Sequence, residues 1–249
     1  MTRKIFSFLL LIAVLFRPSL SLAGNFTGDV AIANNLYIQN KFQPAADAYE
    51  SLIQKGVNNG YLYYNLGNTY IRLGKIGPAI LNYIRAQKLI PRDENLQANL
   101  NFAIQQTHDK IPLPPQSTIS TFFFWVDDLN LNENIKLALI VNLMFWLILT
   151  AWFYYRSDLL KLARNVSFVL LFIVISGTGI KMSLDSNSNT GVVLTKKTEV
   201  KSGLDLSNVT LFELHEGALV TITDRRQGWL EIKLNAKQKG WVPENTIGV

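Results

Sequence analysis

Three hydrophobic patterns follow one another along the chain. Residues 24–107 place apolar side chains at helical spacing, residues 135–155 and 166–184 are mostly apolar, and residues 190–249 alternate apolar and polar positions. These patterns are typical of amphipathic helices, membrane-spanning helices and half-buried strands, respectively. The sequence therefore predicts a multidomain protein with an α-helical domain, a two-helix transmembrane hairpin and a small all-β domain.

The helical part carries an internal repeat with a period of 34 residues. The segment 40–45 recurs as 74–79, and Tyr49 recurs as Tyr83 at the same offset. A period of this length indicates one pair of helices per repeat, with neighbouring pairs stacked to bury a shared core. Residues 94–107 are then expected to form a capping helix over the exposed end of the stack.

Residues 60–93 resemble the tetratricopeptide repeat at nearly every signature position. The matching residues are Tyr63, where Trp is usual, Leu66, Gly67, Tyr70, Ala79, Tyr83, Ala86 and Pro91. Gly67 and Ala79 are small enough to let two helices approach closely, and Pro91 stops the second helix. The resemblance implies a tetratricopeptide domain over residues 24–107.

The first repeat, residues 26–59, fits that pattern less well. Asp29 occupies the usual Trp position and Val57 occupies the usual Pro position. The start of this repeat is therefore left open.

The concave face of such a domain is the expected binding surface. The candidate protein-binding residues are Asn34, Tyr37, Tyr61, Tyr64, Asn65, Asn68 and Arg72. In the family's carboxylate-clamp members two asparagines hold the peptide backbone, and Asn34 and Asn65 match them. Val30, Asn95 and Asn99 stand where that clamp has cations, so an extended peptide or a helix is expected instead of a C-terminal carboxylate. The alternative interpretation is that these residues solvate a spacer domain.

The apolar residues 135–155 are long enough, at about 31 Å as a helix, to cross a bilayer, and residues 166–184 form a second candidate. The loop 156–165 carries three basic residues against one acidic residue, so the positive-inside rule places it in the cytoplasm. Small residues near the end of the second helix, among them Gly177 and Gly179, are expected to let the helices pack closely. Asn142 is expected to form a hydrogen bond across that contact.

Residues 1–23 have the basic start, short apolar run and small-residue end of a signal peptide cleaved after Ala23. The alternative is an uncleaved anchor. Both the signal and the loop charge place residues 24–134 outside the cytoplasm. We therefore expect a multi-pass protein of the inner (cytoplasmic) membrane, with its helical and β domains on the periplasmic side.

Residues 108–134 are predicted to be a linker. Its prolines at 112, 114 and 115 favour an extended spacer. The aromatic residues 122–125, followed by Asp127 and Asp128, are interpreted as an anchor in the membrane interface. A docking surface for a neighbouring membrane protein is the alternative.

The segment 240–245 resembles the last strand and short helical turn of SH3 domains, nearest to the bacterial ones. This resemblance implies an SH3-like barrel over residues 190–249. Trp229 and Pro243 match groove positions of that fold, but Thr246 replaces the groove tyrosine, so recognition of PxxP peptides is not expected. Trp229 and Trp241 are interpreted mainly as core residues, and a groove that binds cell-wall peptides or partner proteins is the alternative.

Composition narrows the possible chemistry. The signal and the hairpin carry net charges of +3 and +4 in a chain of net charge +6, so a folded basic surface for nucleic acid is not expected. There is no cysteine, and the two histidines, His108 and His215, are interpreted as separate solvated residues. The sequence predicts no catalytic, cofactor or metal site and hence no enzyme.

The order of these parts, with the Leu66-Gly67, Pro78-Ala79 and Gly240-Trp241 landmarks, resembles the BatE-type proteins of bacterial aerotolerance operons. This resemblance implies partnership with membrane-anchored von Willebrand factor A-type proteins and a MoxR-type ATPase complex. The first hypothesis is therefore a non-enzymatic membrane scaffold for protein partners in envelope stress. The alternative is a cell-wall sensor whose SH3-like domain binds peptidoglycan.

Overall fold

The computed structural model describes residues 26–112, 125–186, 189–235 and 238–249. It shows paired helices, then a two-helix apolar hairpin, then an antiparallel β-sheet, which confirms the order predicted from the three hydrophobic patterns. The predicted signal peptide and the aromatic residues 122–124 lie outside the described residues.

Residues 27–106, here called the helical region, form a stack of helices. They are α1 (Thr27–Ile38), α2 (Phe42–Gln54), α3 (Gly60–Arg72), α4 (Ile76–Leu89) and α5 (Glu94–Gln106). Helix α1 packs on α2 and α3 on α4, while contacts of α2 with α3 and of α4 with α5 join these units. Asn40 and Gly74, one repeat period apart, both have a left-handed backbone, with φ of 60° and 71°. Both turns therefore reverse the chain in the same way, at residue types that tolerate positive φ.

The core of the helical region sets large side chains against small ones. Tyr49, Leu66 and Tyr83 are almost completely buried, and burying a side chain such as Leu66 contributes roughly 1.5–3 kcal/mol. A Cβ at Gly67 on α3 would lie 2.5 Å from Tyr83 Cε1 on α4. The prediction that Gly67 permits close helix packing is thus confirmed.

Helix α5 covers the end of this core. The Asp93 side chain accepts a hydrogen bond of 2.9 Å from the Leu96 N–H, which satisfies a donor at the first turn of the helix. Leu96 and Leu100 are then buried against the stack, as expected of a closing helix.

A single helical turn, α6 (Trp125–Asp128), precedes the long helices α7 (Leu131–Tyr155) and α8 (Asp158–Ser186), which form the apolar hairpin. Helix α7 begins with a capping box, in which the Asn130 and Glu133 side chains each accept the other's backbone N–H at 2.9 Å. Helix α7 therefore starts four residues before the predicted position at 135.

The turn between α7 and α8 is shorter than predicted, since residues 158–165, expected in a loop, form the first two turns of α8. Their leucines and alanine favour helix. Arg156, with a left-handed φ of 51°, reverses the chain within two residues. The basic residues still cluster at this end, because the guanidinium groups of Arg156 and Arg164 lie 4.9 and 4.1 Å from the Trp152 ring centroid.

By length and composition, α7 and α8 can each cross a membrane. Their apolar side chains are mostly exposed: Leu147 is 60% and Phe172 67% accessible. A core helix of a water-soluble domain buries such side chains, so this exposure is consistent with a membrane hairpin.

Contacts at the end of α8 differ from the expectation. A Cβ at Gly177 would lie 3.1 Å from Trp125 Nε1 on α6, whereas a Cβ at Gly179 would meet nothing within 4 Å. Gly179 therefore does not bring α7 and α8 together by close contact. Thr178, from the same stretch of small residues, does reach α7, because its hydroxyl donates to the Asn134 carbonyl at 3.5 Å.

Residues 189–249, here called the β domain, form a seven-stranded antiparallel sheet of order β3-β2-β6-β5-β4-β1-β7. The strands are β1 (Thr190–Val193), β2 (Lys197–Lys201), β3 (Thr210–His215), β4 (Leu219–Arg226), β5 (Trp229–Lys233), β6 (Lys239–Pro243) and β7 (Ile247–Gly248), with a short 3₁₀ turn at Glu244–Thr246 between β6 and β7. Leu230, Ile232 and Val242 are completely buried and form its core.

The β domain packs directly on the helical region, through β1 and helix α4. Val192 and Leu219 of the β domain belong to the helical core cluster. The contact is close because glycines line it: a Cβ at Gly248 would lie 2.5 Å from Leu81 Cδ2, and a Cβ at Gly217 would lie 3.1 Å from Ile80 Cδ1. The two parts thus share one buried surface.

The β domain also supplies the cap of helix α4. Lys75, at the N-cap position, makes no side-chain cap. Instead Glu216 Oε1 accepts a hydrogen bond of 3.0 Å from the Gly77 N–H. A carboxylate here satisfies a free N–H and interacts favourably with the positive end of the helix dipole.

Candidate protein-binding groove

A network of one tyrosine and two asparagines lies between the helices of the first pair and α3. The Tyr49 hydroxyl donates to Asn34 Oδ1 at 2.6 Å, and Asn65 Nδ2 donates to the same oxygen at 3.2 Å. Asn34 belongs to α1, Tyr49 to α2 and Asn65 to α3. Because two donors fix its oxygen, the orientation of the Asn34 amide is set.

The same network occurs again one repeat further along. The Tyr83 hydroxyl donates to Asn68 Oδ1 at 2.7 Å, and Asn99 Nδ2 donates to that oxygen at 3.0 Å. Each of these residues lies 34 positions after its counterpart in the first network. The 34-residue period therefore repeats a side-chain hydrogen-bond network as well as the helices.

The first network and Asn68 of the second face a cleft of about 250 Å³. It is lined by Asn34, Tyr37, Ile38, Tyr49, Asn65 and Asn68, all of them uncharged. Burial raises the pKa of Tyr49 to about 12, so its hydroxyl remains a protonated donor at neutral pH. Burial likewise raises the pKa of Tyr83. The cleft thus offers fixed neutral amides and aromatic rings.

Such a lining suits the backbone of an extended peptide. Asparagine amides both donate and accept hydrogen bonds, as peptide groups do, and a neutral wall carries no desolvation cost of a buried charge. Ile38, at 74% exposure, adds an apolar contact at the mouth. The geometry gives no cation among the lining residues to grip a carboxylate.

The other predicted groove residues are placed differently. Tyr64 lies beside the second network, since its hydroxyl accepts from Asn99 Nδ2 at 3.0 Å. Arg72 stacks over the Phe42 ring at 5.1 Å, and that ring packs edge-on against Tyr37 at 5.5 Å. Arg72 therefore lies near one end of the cleft.

Tyr61 does not join this group. It lines a separate cleft of about 540 Å³ between the helical region and the start of the hairpin. This second cleft is closed at one side by an ion pair of 2.6 Å between Arg92 and Glu133 and by the 2.9 Å hydrogen bond from Asn130 Nδ2 to the Leu89 carbonyl. The structure thus separates Tyr61 from the other six predicted residues.

Tyr49 and Tyr83 were missed as groove residues from the sequence. Asn99 was recognised only as a position without the clamp's cation. The repeat offset contained the signal, because Asn34, Tyr49 and Asn65 all recur in kind 34 residues later. Their contact requires the helix packing, which a sequence offset alone does not provide.

On the β domain, Trp229, Trp241 and Pro243 share one face of the β5–β6 ladder. Trp229 pairs with Pro243 and Glu231 with Trp241, so these side chains lie on the opposite face from the buried Leu230, Ile232 and Val242. All three are half-buried, and the Arg226 guanidinium lies 5.9 Å from the Trp241 ring centroid. The interpretation of both tryptophans as core residues is therefore wrong, because the alternation of β5 turns Trp229 outward.

No protein-family model matches this sequence, and none of the curated proteins matches it significantly.

Proposed function

We propose that this protein is a membrane-anchored adaptor whose helical region is a tetratricopeptide domain that binds an extended segment of a partner protein. The observation that carries the proposal is the Asn–Tyr–Asn network that recurs after 34 residues and contributes Asn34, Asn65 and Asn68 to the cleft. These amides, held on neighbouring repeats, present hydrogen-bonding groups to a chain lying across them. Tetratricopeptide arrays offer concave surfaces of this kind.

The proposed anchor is the apolar hairpin, crossing the membrane twice. The helical region precedes α7 and the β domain follows α8, yet the two share a buried surface through Gly77, Leu81 and Gly217. Domains in contact must lie on one side of a membrane, so an even number of crossings is needed. The basic α7–α8 turn supports a cytoplasmic position for that turn and a periplasmic position for both domains.

Absence of cysteine makes this topology directly measurable. Single cysteines at Gln39, Lys233 and Ser157 are labelled in cells with a membrane-impermeant maleimide after the outer membrane is opened. We expect labelling at positions 39 and 233, and labelling at position 157 only after lysis. Opposite accessibility of positions 39 and 233 contradicts the two-crossing arrangement.

The groove is tested by photo-crosslinking in cells. A crosslinking residue replaces Ile38 at the mouth of the cleft, and in the matched control it replaces Phe102, an exposed apolar residue of α5. The proposal expects a protein adduct from position 38 that is lost when Asn65→Ala is added, and no such adduct from position 102. Equal adducts from both positions would count against binding in the groove.

The resemblance to BatE-type proteins suggests which partners to look for. They are membrane-anchored von Willebrand factor A-type proteins and a MoxR-type ATPase complex in an envelope stress system. The uncharged cleft is explained most simply by a binding role. We therefore propose that this protein is not an enzyme. Mass spectrometry of the position-38 adduct tests the partner class.

A second candidate function rests on the outward tryptophans. We propose as the alternative that the β domain is an SH3-like wall-binding module, with Trp229, Trp241 and Pro243 as an aromatic platform for a peptidoglycan peptide or sugar. The purified full chain is sedimented with isolated cell wall. Loss of sedimentation in Trp229→Ala, with retention in the exposed-residue control Leu206→Ala, supports this role, and no sedimentation of the wild-type chain removes it.

A further inference from the structure

Two histidines and an aspartate from distant parts of the sequence meet where the helical region joins the β domain. His108 and Asp109 follow α5, and His215 ends β3. Asp109 Oδ1 lies 3.2 Å from His108 Nδ1 and 3.1 Å from His215 Nδ1. The sequence treats the histidines as separate solvated residues, but the fold brings their ring centroids within 4.0 Å.

The backbone on both sides of this cluster is fixed. Asp109 Oδ2 accepts a hydrogen bond of 2.7 Å from the His215 N–H. Thr107 Oγ1 accepts from the Lys110 N–H at 3.1 Å and donates to the Ile104 carbonyl at 2.7 Å, which holds the turn that carries His108 and Asp109. Oxygen Oδ1 of the aspartate is thus oriented by contacts made through Oδ2 and the turn.

The three side chains differ in solvent exposure. Asp109 is 17%, His215 30% and His108 72% exposed. Partial burial acts to raise the pKa of Asp109, but hydrogen bonds from the His215 N–H and from both imidazoles outweigh it and lower the pKa. The carboxylate is therefore ionised at neutral pH, and one side of the cluster is open to solvent.

We propose that His108, Asp109 and His215 form a binding site for a divalent transition metal ion, with Zn²⁺ as the best-matched ion. Two imidazole nitrogens and one carboxylate oxygen are a ligand set typical of Zn²⁺. Tetrahedral bonds of about 2.05 Å place neighbouring ligand atoms about 3.3 Å apart. The two nitrogen–oxygen separations of 3.2 and 3.1 Å are close to that spacing, and the three donor atoms all lie within 4.8 Å of one another.

A bound ion joins the end of α5 to the end of β3. His108 is mostly exposed and completes the site by a side-chain rotation, and the open side leaves a position for water. Because the ligands come together only when the β domain is docked on the helical region, the ion stabilises the docked arrangement.

The composition makes a direct test possible, since the chain has two histidines and no cysteine. The full chain is purified in detergent with an affinity tag that contains no histidine. The purified protein is then freed of metal. Zn²⁺ binding is then measured by competition with a zinc-sensitive dye. We expect one Zn²⁺ per chain and a loss of affinity of about 10-fold or more in His108→Ala, which removes a ligand.

His108→Ala changes a mostly exposed side chain, so its circular dichroism should match that of the wild-type protein. Asp109→Asn, which keeps an oxygen for the His215 N–H, should also weaken binding, whereas Asp158→Asn at the start of α8 should not. Wild-type binding only above about 1 mM Zn²⁺ overturns the proposal. Equal affinity for Zn²⁺ in His108→Ala, or equal competition by Mg²⁺, overturns it as well.

Discussion

The Tyr49 hydroxyl donates a 2.6 Å hydrogen bond to Asn34 Oδ1, and this bond sets the orientation of a groove amide from the neighbouring helix. Its counterpart, from Tyr83 to Asn68, has nearly the same length, 2.7 Å. Both tyrosines are almost completely buried, and each hydroxyl bonds to an asparagine that lines the cleft. Each tyrosine therefore connects the core of a helix pair to the surface that we propose binds a partner.

Removing one of these hydroxyls should weaken both stability and binding. Tyr49→Phe keeps the ring and leaves the Asn34 oxygen with one donor fewer, so we expect the free energy of unfolding to fall by about 1 kcal/mol. Groove crosslinking at position 38 should fall as well, because the Asn34 amide loses one of its two donors. Urea unfolding followed by far-UV circular dichroism measures the first effect.

Tyr63→Phe is the matched control, because Tyr63 is half-buried in the same helical region but outside the two networks. It should change stability and crosslinking little. If Tyr49→Phe lowers stability but leaves crosslinking unchanged, the hydrogen-bond network is not needed for partner binding.

Gly67→Ala should destabilise the helical region. Alanine favours helix over glycine by about 1 kcal/mol, but overpacking a core typically costs about 1–3 kcal/mol. The added Cβ would lie 2.5 Å from Tyr83 Cε1 in a ring held by its own hydrogen bond, so the steric cost should exceed the gain. Thermal unfolding of the full chain in detergent should show a lower midpoint.

Gly28→Ala provides the comparison, since a Cβ at that position of α1 would meet nothing within 4 Å. It should leave the midpoint unchanged or raise it. A midpoint for Gly67→Ala at or above that of Gly28→Ala would show that α3 and α4 separate without cost.

Glu216→Ala should loosen the docking of the β domain. The carboxylate caps the start of α4 through the Gly77 N–H, and hydrogen bonds to charged groups contribute about 1.5–3 kcal/mol, toward the lower end for a half-buried group. We expect faster amide hydrogen exchange in the first turn of α4 and in β1. Glu213→Ala removes an exposed carboxylate paired with Lys197 and should leave that exchange unchanged. Unaltered protection in Glu216→Ala would mean that the shared apolar surface alone holds the domains together.

Glu50 should make stability depend on pH in the weakly acidic range. Burial, together with the nearby Asp47, raises the pKa of Glu50 above 4.5, and the Tyr70 hydroxyl bonds to its carboxyl group. A raised folded-state pKa means that the stabilisation is fully present below pH 4.5 and is lost as the pH rises through the raised value. Glu50→Gln, which removes the charge, should flatten this part of the profile.

The measurement is the unfolding midpoint of both proteins from pH 4.5 to neutrality. The wild-type midpoint should fall relative to that of Glu50→Gln as the pH rises. Parallel profiles would show that Glu50 titrates equally in the folded and unfolded chain.

The order of the three parts follows from local pattern and is confirmed. Helix pairs and antiparallel strands carry periods set by side-chain burial, and the hairpin carries two long apolar runs. The start of α7 differed from the prediction because the capping box at Asn130 and Glu133 extends the helix beyond its apolar run. The α7–α8 turn was predicted too long because charge, and not helix propensity, was used to delimit it.

The outward orientation of Trp229 could have been predicted from the sequence. In β5, Leu230 and Ile232 alternate with Trp229 and Glu231, so period two already places Trp229 opposite the core. The general tendency of tryptophan to be buried outweighed this pattern and led to the wrong interpretation.

Contacts between distant segments could not be predicted from the sequence. The cluster of His108, Asp109 and His215 and the cap from Glu216 to Gly77 depend on how the β domain docks on α4. Docking of two domains is decided by the shapes of both surfaces, and a single sequence contains no periodic signal for it.

Glu216 lies 139 residues beyond Gly77. The hydrogen bond that caps the first turn of α4 can therefore form only after most of the chain has been translated. A nascent chain that stops before β7 lacks Gly248, the glycine that packs against Leu81 of the helical stack. Chaperones and proteases act on exposed apolar surface of this kind, so we expect incomplete copies of the protein to be removed.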